Sequence, residues 1–377
     1  MLLSRVWVQP PPNPEQEDIF SSSLGALFTD DTQNSHGTPG QSVVYHSPRY
    51  GDIALEIPRH PDVEEGRKLF AHYLWNAGVL AADAIESASN DEEEELDARK
   101  VQWNKKYWDM RGKDVLELGA GTALPSLISG LSAAHSVTIT DHPYSPALVA
   151  DTIAHNVLHN LKINLVADGS ASEPRTKTAI SIHGLTWGDP LFTSPTKYGK
   201  PSSPQPAKHS FDRIIVADCL WMPSQHTNIV KTIDSNLRAK QNGAQIQAQQ
   251  SDSDEEEKEE GKPVPCALVI AGFHTGRSTV ARFFKIATGS SSFPPTSSTH
   301  TLVDTPAASA REQPQTSDSD KDEDEEEETS KMRGTLRAAE LFEVDVDCNV
   351  RPWLPSRAGE DKHGAKRWCV VGVLVRR

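Results

Sequence analysis

The sequence predicts a single α/β unit, a doubly wound sheet with helices on both faces and a C-terminal antiparallel hairpin. Three observations predict it. Strand-like and helix-like stretches alternate along most of the chain. Asp114-Val115-Leu116-Glu117-Leu118 runs through a tight turn, Gly119-Ala120-Gly121, into a helix that opens on Leu124-Pro125-Ser126. Two late apolar runs, Leu341 to Val346 and Trp368 to Val375, can pair antiparallel at the end of the chain.

Taken in order, residues 1–42 form a flexible arm, because Met1 to Asn34 is rich in proline, serine and acids. The folded domain spans 43–377. Val43 to His46 and Asp52 to Ile57 suit a small hairpin ending at Pro58. The spacing of Leu69, Tyr73, Leu74, Val79, Leu80 and Ile85 is helical, with an interruption at Asn76-Ala77-Gly78. Trp103 to Arg111 leads into the strand before the glycine turn. Val137 to Asp141 is the next strand, and a helix is expected from about Tyr144 to Asn160. Ile180 to Leu185 is a short strand before Thr186-Trp187-Gly188-Asp189. Phe211 to Asp218 is almost continuously apolar, as a strand buried on both faces must be. A helix from Ser224 to Leu237, a strand from Cys266 to Gly272 and a helix from Ser278 to Ala287 complete the alternation.

Charge separates the core from its insertions. The runs Asp91 to Asp97, Asp252 to Glu260 and Asp318 to Glu328 carry −6, −6 and −8. The whole chain is −15, so the remainder is +5. Disordered acidic inserts are therefore expected near 87–99, 240–263 and 288–333, around a mildly basic folded part. That composition cannot bury enough apolar surface to offset the entropy of ordering. No apolar stretch approaches the roughly 20 residues of a membrane span, and Met1 to Gln9 lacks the apolar region of a secretory signal. The four cysteines are scattered without a C-x-x-C pair, and three lie in apolar runs. They read as buried thiols of a reduced, cytoplasmic protein, with no metal site.

The glycine turn presents backbone amides and a helix N-terminus to a ligand at the carboxyl edge of the sheet. Asp141, twenty residues after Gly121 at the end of the next strand, can hold two ribose hydroxyls. A nucleoside-containing ligand follows. A dinucleotide fingerprint would carry a third glycine at position 124, where this chain has Leu124, which disfavours a dehydrogenase. Glu117 sits just before the glycines, in reach of an amino or ammonium group.

The order of motifs is more specific. Tyr73-Leu74-Trp75-Asn76-Ala77-Gly78 is followed by Leu116-Glu117-Leu118-Gly119-Ala120-Gly121 and Thr138-Ile139-Thr140-Asp141-His142-Pro143. Leu185-Thr186-Trp187-Gly188 and Phe211 to Trp221 come next. This set resembles the lysine-methyltransferase branch, methyltransferase family 16, of the class I methyltransferases. The resemblance implies a Rossmann-like seven-stranded sheet and S-adenosyl-L-methionine as cofactor, held by Trp75, Gly119, Ala120, Gly121, Asp141, Trp187 and Ala217. Trp187 would flank the adenine and Trp75 would wall the pocket, unless either simply packs in the core. Within the branch the similarity is to fungal enzymes that methylate the N-terminal α-amine and adjacent lysine of translation elongation factor 1-alpha. That factor is the implied partner, with no direct nucleic acid. Older naming of similar sequences implies a small-molecule alternative, nicotinamide N-methylation; a non-catalytic binding protein is a third. Asp218-Cys219-Leu220-Trp221 matches the branch's acid-led acceptor segment except in its aromatic fourth position. Asp218 either orients the amine or caps the following helix, and His226 is expected on a helix surface. No catalytic residue is named, because alignment of donor and acceptor supplies several kcal/mol of the barrier without a dedicated base.

Overall fold

A computed structural model describes residues 2–9, 34–59, 73–90, 101–163, 174–193, 205–239, 264–289 and 334–377. The three acidic runs lie outside the described residues. So does the proposed helical stretch before Tyr73.

The first three strands are β1 (Val6–Val8), β2 (Ser35–His36) and β3 (Ser42–Ser47). β4 (Gly51–Glu56) and β5 (Leu74–Trp75) follow, then helix α1 (Asn76–Ala88). The alternating core consists of β6 (Asp114–Leu118), α2 (Leu124–Leu131), β7 (Ser136–Asp141), α3 (Thr152–Leu161), β8 (Ala179–Gly184) and β9 (Arg213–Ala217). It continues with α4 (His226–Asn236), β10 (Cys266–Gly272) and α5 (Arg277–Thr288), and closes with β11 (Leu336–Asp345), β12 (Val350–Pro352) and β13 (Trp368–Arg376).

The main sheet has the order β12-β11-β13-β10-β9-β6-β7-β8. β8, β7, β6, β9 and β10 run parallel, and β13, β11 and β12 join antiparallel. The sheet therefore has eight strands among the described residues, not seven. The extra one is β12, three residues on the free edge of β11, too short for a period to show and ending in a proline that only an edge tolerates. The order reverses between β6 and β9, the switch point at which such sheets bind ligands.

Period-two alternation sends successive side chains to opposite faces. Val115, Ile139, Ile215, Leu268, Ile270 and Val371 face one core, under α1 to α3. Leu116, Leu118, Ile214, Val216, Val269 and Leu374 face the other, under α4 and α5. The expected Val43–Ile57 hairpin is the β3–β4 pair, but it gains a third strand. β1, from the stretch read as a flexible arm, pairs antiparallel with β3. The free edge of β4 meets α3, where Asn156 and Asn160 stand one turn apart. Asn160 accepts from Ala54 N at 3.0 Å, and Asn156 from Glu56 N at 2.8 Å. Their amides donate back to the same two carbonyls, so this edge has no unpaired ladder groups facing α3 at those positions.

Two helical expectations need correction. The stretch around Tyr73 is not helical up to Asn76. Leu74–Trp75 is an extended pair bonded to Ser35–His36, and the helix begins at Asn76 and runs straight through Asn76-Ala77-Gly78. The single helix expected from Tyr144 to Asn160 is two. Ser145 caps a short helix, Pro146–Val149, and Asp151 in the left-handed region (φ 61°) breaks the chain before α3.

Candidate functional site

A cavity of about 210 Å³ opens at the carboxyl edge of the parallel strands, at the switch point. All seven residues singled out from the sequence, Trp75, Gly119, Ala120, Gly121, Asp141, Trp187 and Ala217, line it.

The floor is the glycine turn. Gly119 and Gly121 have positive φ (63° and 53°), and Ala123 shares that region before α2. A Cβ on Gly119 would stand 2.8 Å from Cys219 Sγ and 3.2 Å from Trp187 Cζ2, so only glycine lets β9's end and the Trp187 loop close on the turn. Asp141 is buried, and its carboxylate braces the same turn. Oδ2 accepts from Gly121 N at 2.8 Å and Oδ1 from His142 N at 2.7 Å. Burial raises its pKa, partly offset by those bonds.

Glu117 is wholly buried, and its Oε2 accepts from the backbone N–H of Ser126 at 3.2 Å and from the Ser126 hydroxyl. It therefore satisfies an orphan donor in the first turn of α2 while lining the cavity. Desolvation pushes its pKa up to about 8, against the pull of the Ser126 bonds.

The roof is a strap from the N-terminal region. Tyr73, Leu74 and Trp75 lie over the cavity, tied down by the β2–β5 ladder and by His36 Nε2 against Asn76 Oδ1 at 2.7 Å. Trp75 is thus at the start of α1, on the pocket, and not inside an amphipathic helix.

One wall is the segment after β9. Asp218 is buried and takes a left-handed backbone (φ 57°), strain of the kind that clusters at functional sites. It caps no helix. Its Oδ1 accepts from Gly272 N at 3.1 Å, and Oδ2 has no hydrogen-bond partner among the described residues. Burial raises its pKa, opposed by His274. Trp221, Met222 and Gln225 continue this wall. His226 is not on a helix surface. It is fully buried, bonds Leu220 O through Nε2 at 2.8 Å and packs edge-on against Phe283, and desolvation lowers its pKa to about 4. Its work is to hold the Asp218–Trp221 loop to α4. Among the described residues no cluster of His, Cys, Asp or Glu could hold a metal ion, and the four cysteines are free.

The family model described as lysine methyltransferase matches residues 62–259, more than half of the chain. The chain belongs to that family. Similar lysine-methyltransferase relatives include proteins named protein N-terminal and lysine N-methyltransferase. The one from Aspergillus fumigatus is 31% identical over 170 residues, 45% of this chain and 52% of that protein. The one from Candida albicans is 28% identical over 230 residues, 60% and 71%. The chain spans about half the length of the first such relatives. An arsenic(III) S-adenosylmethionine methyltransferase structure from Chlamydomonas reinhardtii, 13% identical, covers 78% of this chain and 73% of its own at TM-score 0.32, too loose to bear on function. No helix among the described residues is long and apolar enough to cross a membrane.

The sequence missed Tyr73, Thr122, His142 and Gln225 as cavity residues. His142 carried a usable signal, since it follows the strand-ending acid. Gln225 did not, because nothing local distinguishes a polar residue in a short helical turn from a solvated one.

Proposed function

We propose that this protein transfers methyl groups from S-adenosylmethionine to a protein amine, the N-terminal α-amine and adjacent lysine of translation elongation factor 1-alpha, in the cytoplasm. The convergence of a glycine turn, a strand-ending acid and a free carboxylate oxygen on one cavity carries the reading. The names of the relatives support a protein acceptor, and the motif resemblance supports the elongation factor.

The donor fits the residues present. A carboxylate offers about four acceptor sites, and beyond its bonds from Gly121 N, His142 N and the Ser145 side chain Asp141 keeps one for a ribose hydroxyl. Trp187 and Trp75 offer flat walls, and Ala217 leaves room beside them. Bound there, the sulfonium supplies a methyl group to an amine by in-line displacement.

The protein's own part is alignment and charge. Asp218 Oδ2 can accept from the incoming amine and fix its lone pair toward the donor. Only the neutral amine reacts, and an α-amine with a pKa of about 7.7–8.0 loses its proton more readily than a lysine at about 10.4. Trp221 presents a ring to the methylated ammonium, an attraction on the order of 0.5–2 kcal/mol.

Asp141→Asn is expected to weaken S-adenosylmethionine binding about ten- to a hundredfold by calorimetry, from hydrogen bonds to a charged acceptor worth roughly 1.5–3 kcal/mol. Because Asp141 also braces Gly121, circular dichroism must first show the variant folded; unchanged affinity in a folded variant would remove the site.

The acceptor is tested with labelled S-adenosylmethionine on three substrates: elongation factor 1-alpha with a free N-terminus, the same factor acetylated there, and free nicotinamide. Label on the free factor, much reduced by acetylation, is expected. Label on nicotinamide alone would replace the protein reading with the small-molecule one.

A further inference from the structure

His274 lies two residues beyond β10, in a turn closed by Gly276 N donating to Phe273 O at 3.0 Å. Its ring stacks on Trp75 at 4.8 Å between centroids and 17° between planes, so it supports the strap from behind. Its Nδ1 is buried and has no hydrogen-bond partner among the described residues, which native interiors rarely leave so. Asp218 Oδ1 stands 3.9 Å away. Gly272 lies between them. A Cβ there would sit 3.3 Å from His274 Nδ1 and 3.9 Å from Asp218 Oδ1, so the bare backbone keeps the approach open. About 0.9 Å of travel would bring the pair to an ordinary N–H···O distance of ~3.0 Å. Hydrogen bonds of this kind are often long in a free enzyme and tighten in the substrate complex.

We propose that His274 is a positioning residue of the acceptor slot. Its Nδ1–H closes on Asp218 Oδ1 as the amine binds, which leaves Oδ2 directed at the amine and ties the carboxylate to the Trp75 strap. The carboxylate alone is held by one backbone N–H and can swing; with His274 it has two fixed donors on the oxygen away from the substrate. The turn carrying His274 is itself anchored, because Arg277 lies over the Phe273 ring at 4.0 Å and is paired with buried Glu343. The inference rests on the methyl-transfer reading for its kinetic test but not for its spectroscopic one.

Two substitutions separate the two contacts of the imidazole. His274→Asn keeps a donor near the Nδ1 position and loses the stacked ring, whereas His274→Phe keeps the ring and loses the donor. His274→Phe is expected to raise the acceptor KM tenfold or more, with the affinity for S-adenosylmethionine within twofold of wild type. His274→Asn is expected to restore most of that loss. Gly272→Ala, which interposes a methyl group, should resemble His274→Phe. Wild-type kinetics in His274→Phe, or equal defects in both His274 variants, would overturn the proposal. In a protein that methylates none of the three substrates, nitrogen NMR of the imidazole, recorded with a saturating simple amine such as n-butylamine, decides instead. An Nδ1–H tautomer whose signal moves in Asp218→Asn supports the pairing, and an Nε2–H tautomer insensitive to that change overturns it.

Discussion

Replacing Glu343 by glutamine is expected to cost about 3–5 kcal/mol of stability, because it removes the central anion from a buried charge cluster. The Glu343 side chain is completely buried in β11. Its two oxygens accept from Arg277 Nη1 at 2.7 Å, Arg277 Nη2 at 2.8 Å and Arg351 Nε at 2.6 Å, with Arg357 Nε 3.4 Å away. Glu360 pairs with Arg277 and Arg351 from the other side, and its pKa is lowered by those bonds despite some desolvation. Glutamine would leave three guanidinium groups around one carboxylate and turn an amide NH2 toward arginine donors. A folded part of roughly 240 residues loses about 2–4 °C of Tm per kcal/mol, so Tm should fall by about 6–20 °C. Buried pairs are screened little, so the loss should be nearly the same in 0.1 M and 1 M salt. A loss below about 1 kcal/mol would mean that solvent relieves the cluster. Since Arg277 anchors the turn that carries His274, weaker acceptor binding should accompany the loss of stability.

What the sequence made legible, and what it hid, divides by the range of the interaction. The strand at β9 was legible because Ile214, Ile215 and Val216 face two cores in alternation, and a strand buried on both sides has to be apolar throughout. The glycine turn and Asp141 were legible because their geometry is set within about two dozen residues of chain, and the structure puts them on one cavity. The strap was hidden. Its strands are two residues each, and Ser35 and His36 meet Trp75 and Leu74 across a long stretch of chain, so neither has a period to read. His226 was misplaced for a related reason. A histidine at the start of a polar-looking helix suggests exposure, and only the fold brings Leu220 O to its Nε2 and Phe283 to its face. Glu117 was seen as an acid near the ligand, but its bond to Ser126 depends on how α2 leaves the turn.

That buried acid gives the protein a proton-coupled site. With its pKa pushed up to about 8, Glu117 in the free folded protein keeps its proton at neutral pH, whereas the unfolded chain releases it near 4.3. The unfolded state therefore binds fewer protons than the folded state between those values, and linkage makes stability fall as pH rises through that window. The full decline is roughly 3–5 kcal/mol, complete once the pH passes the folded pKa. Glu117→Gln imitates the protonated form and should flatten the fall between pH 5 and 8. Ligand binding works in the opposite sense. A cation in the cavity favours the carboxylate, so S-adenosylmethionine should bind more tightly as pH rises toward 8 and should displace up to one proton at pH 7. Calorimetry at pH 7 in phosphate and in Tris reads that proton directly, since the observed enthalpies differ by the number released times the difference in buffer ionisation heat. Equal enthalpies in the two buffers, together with a pH-independent Tm, would show that Glu117 is ionised in the free protein and is not coupled to the ligand.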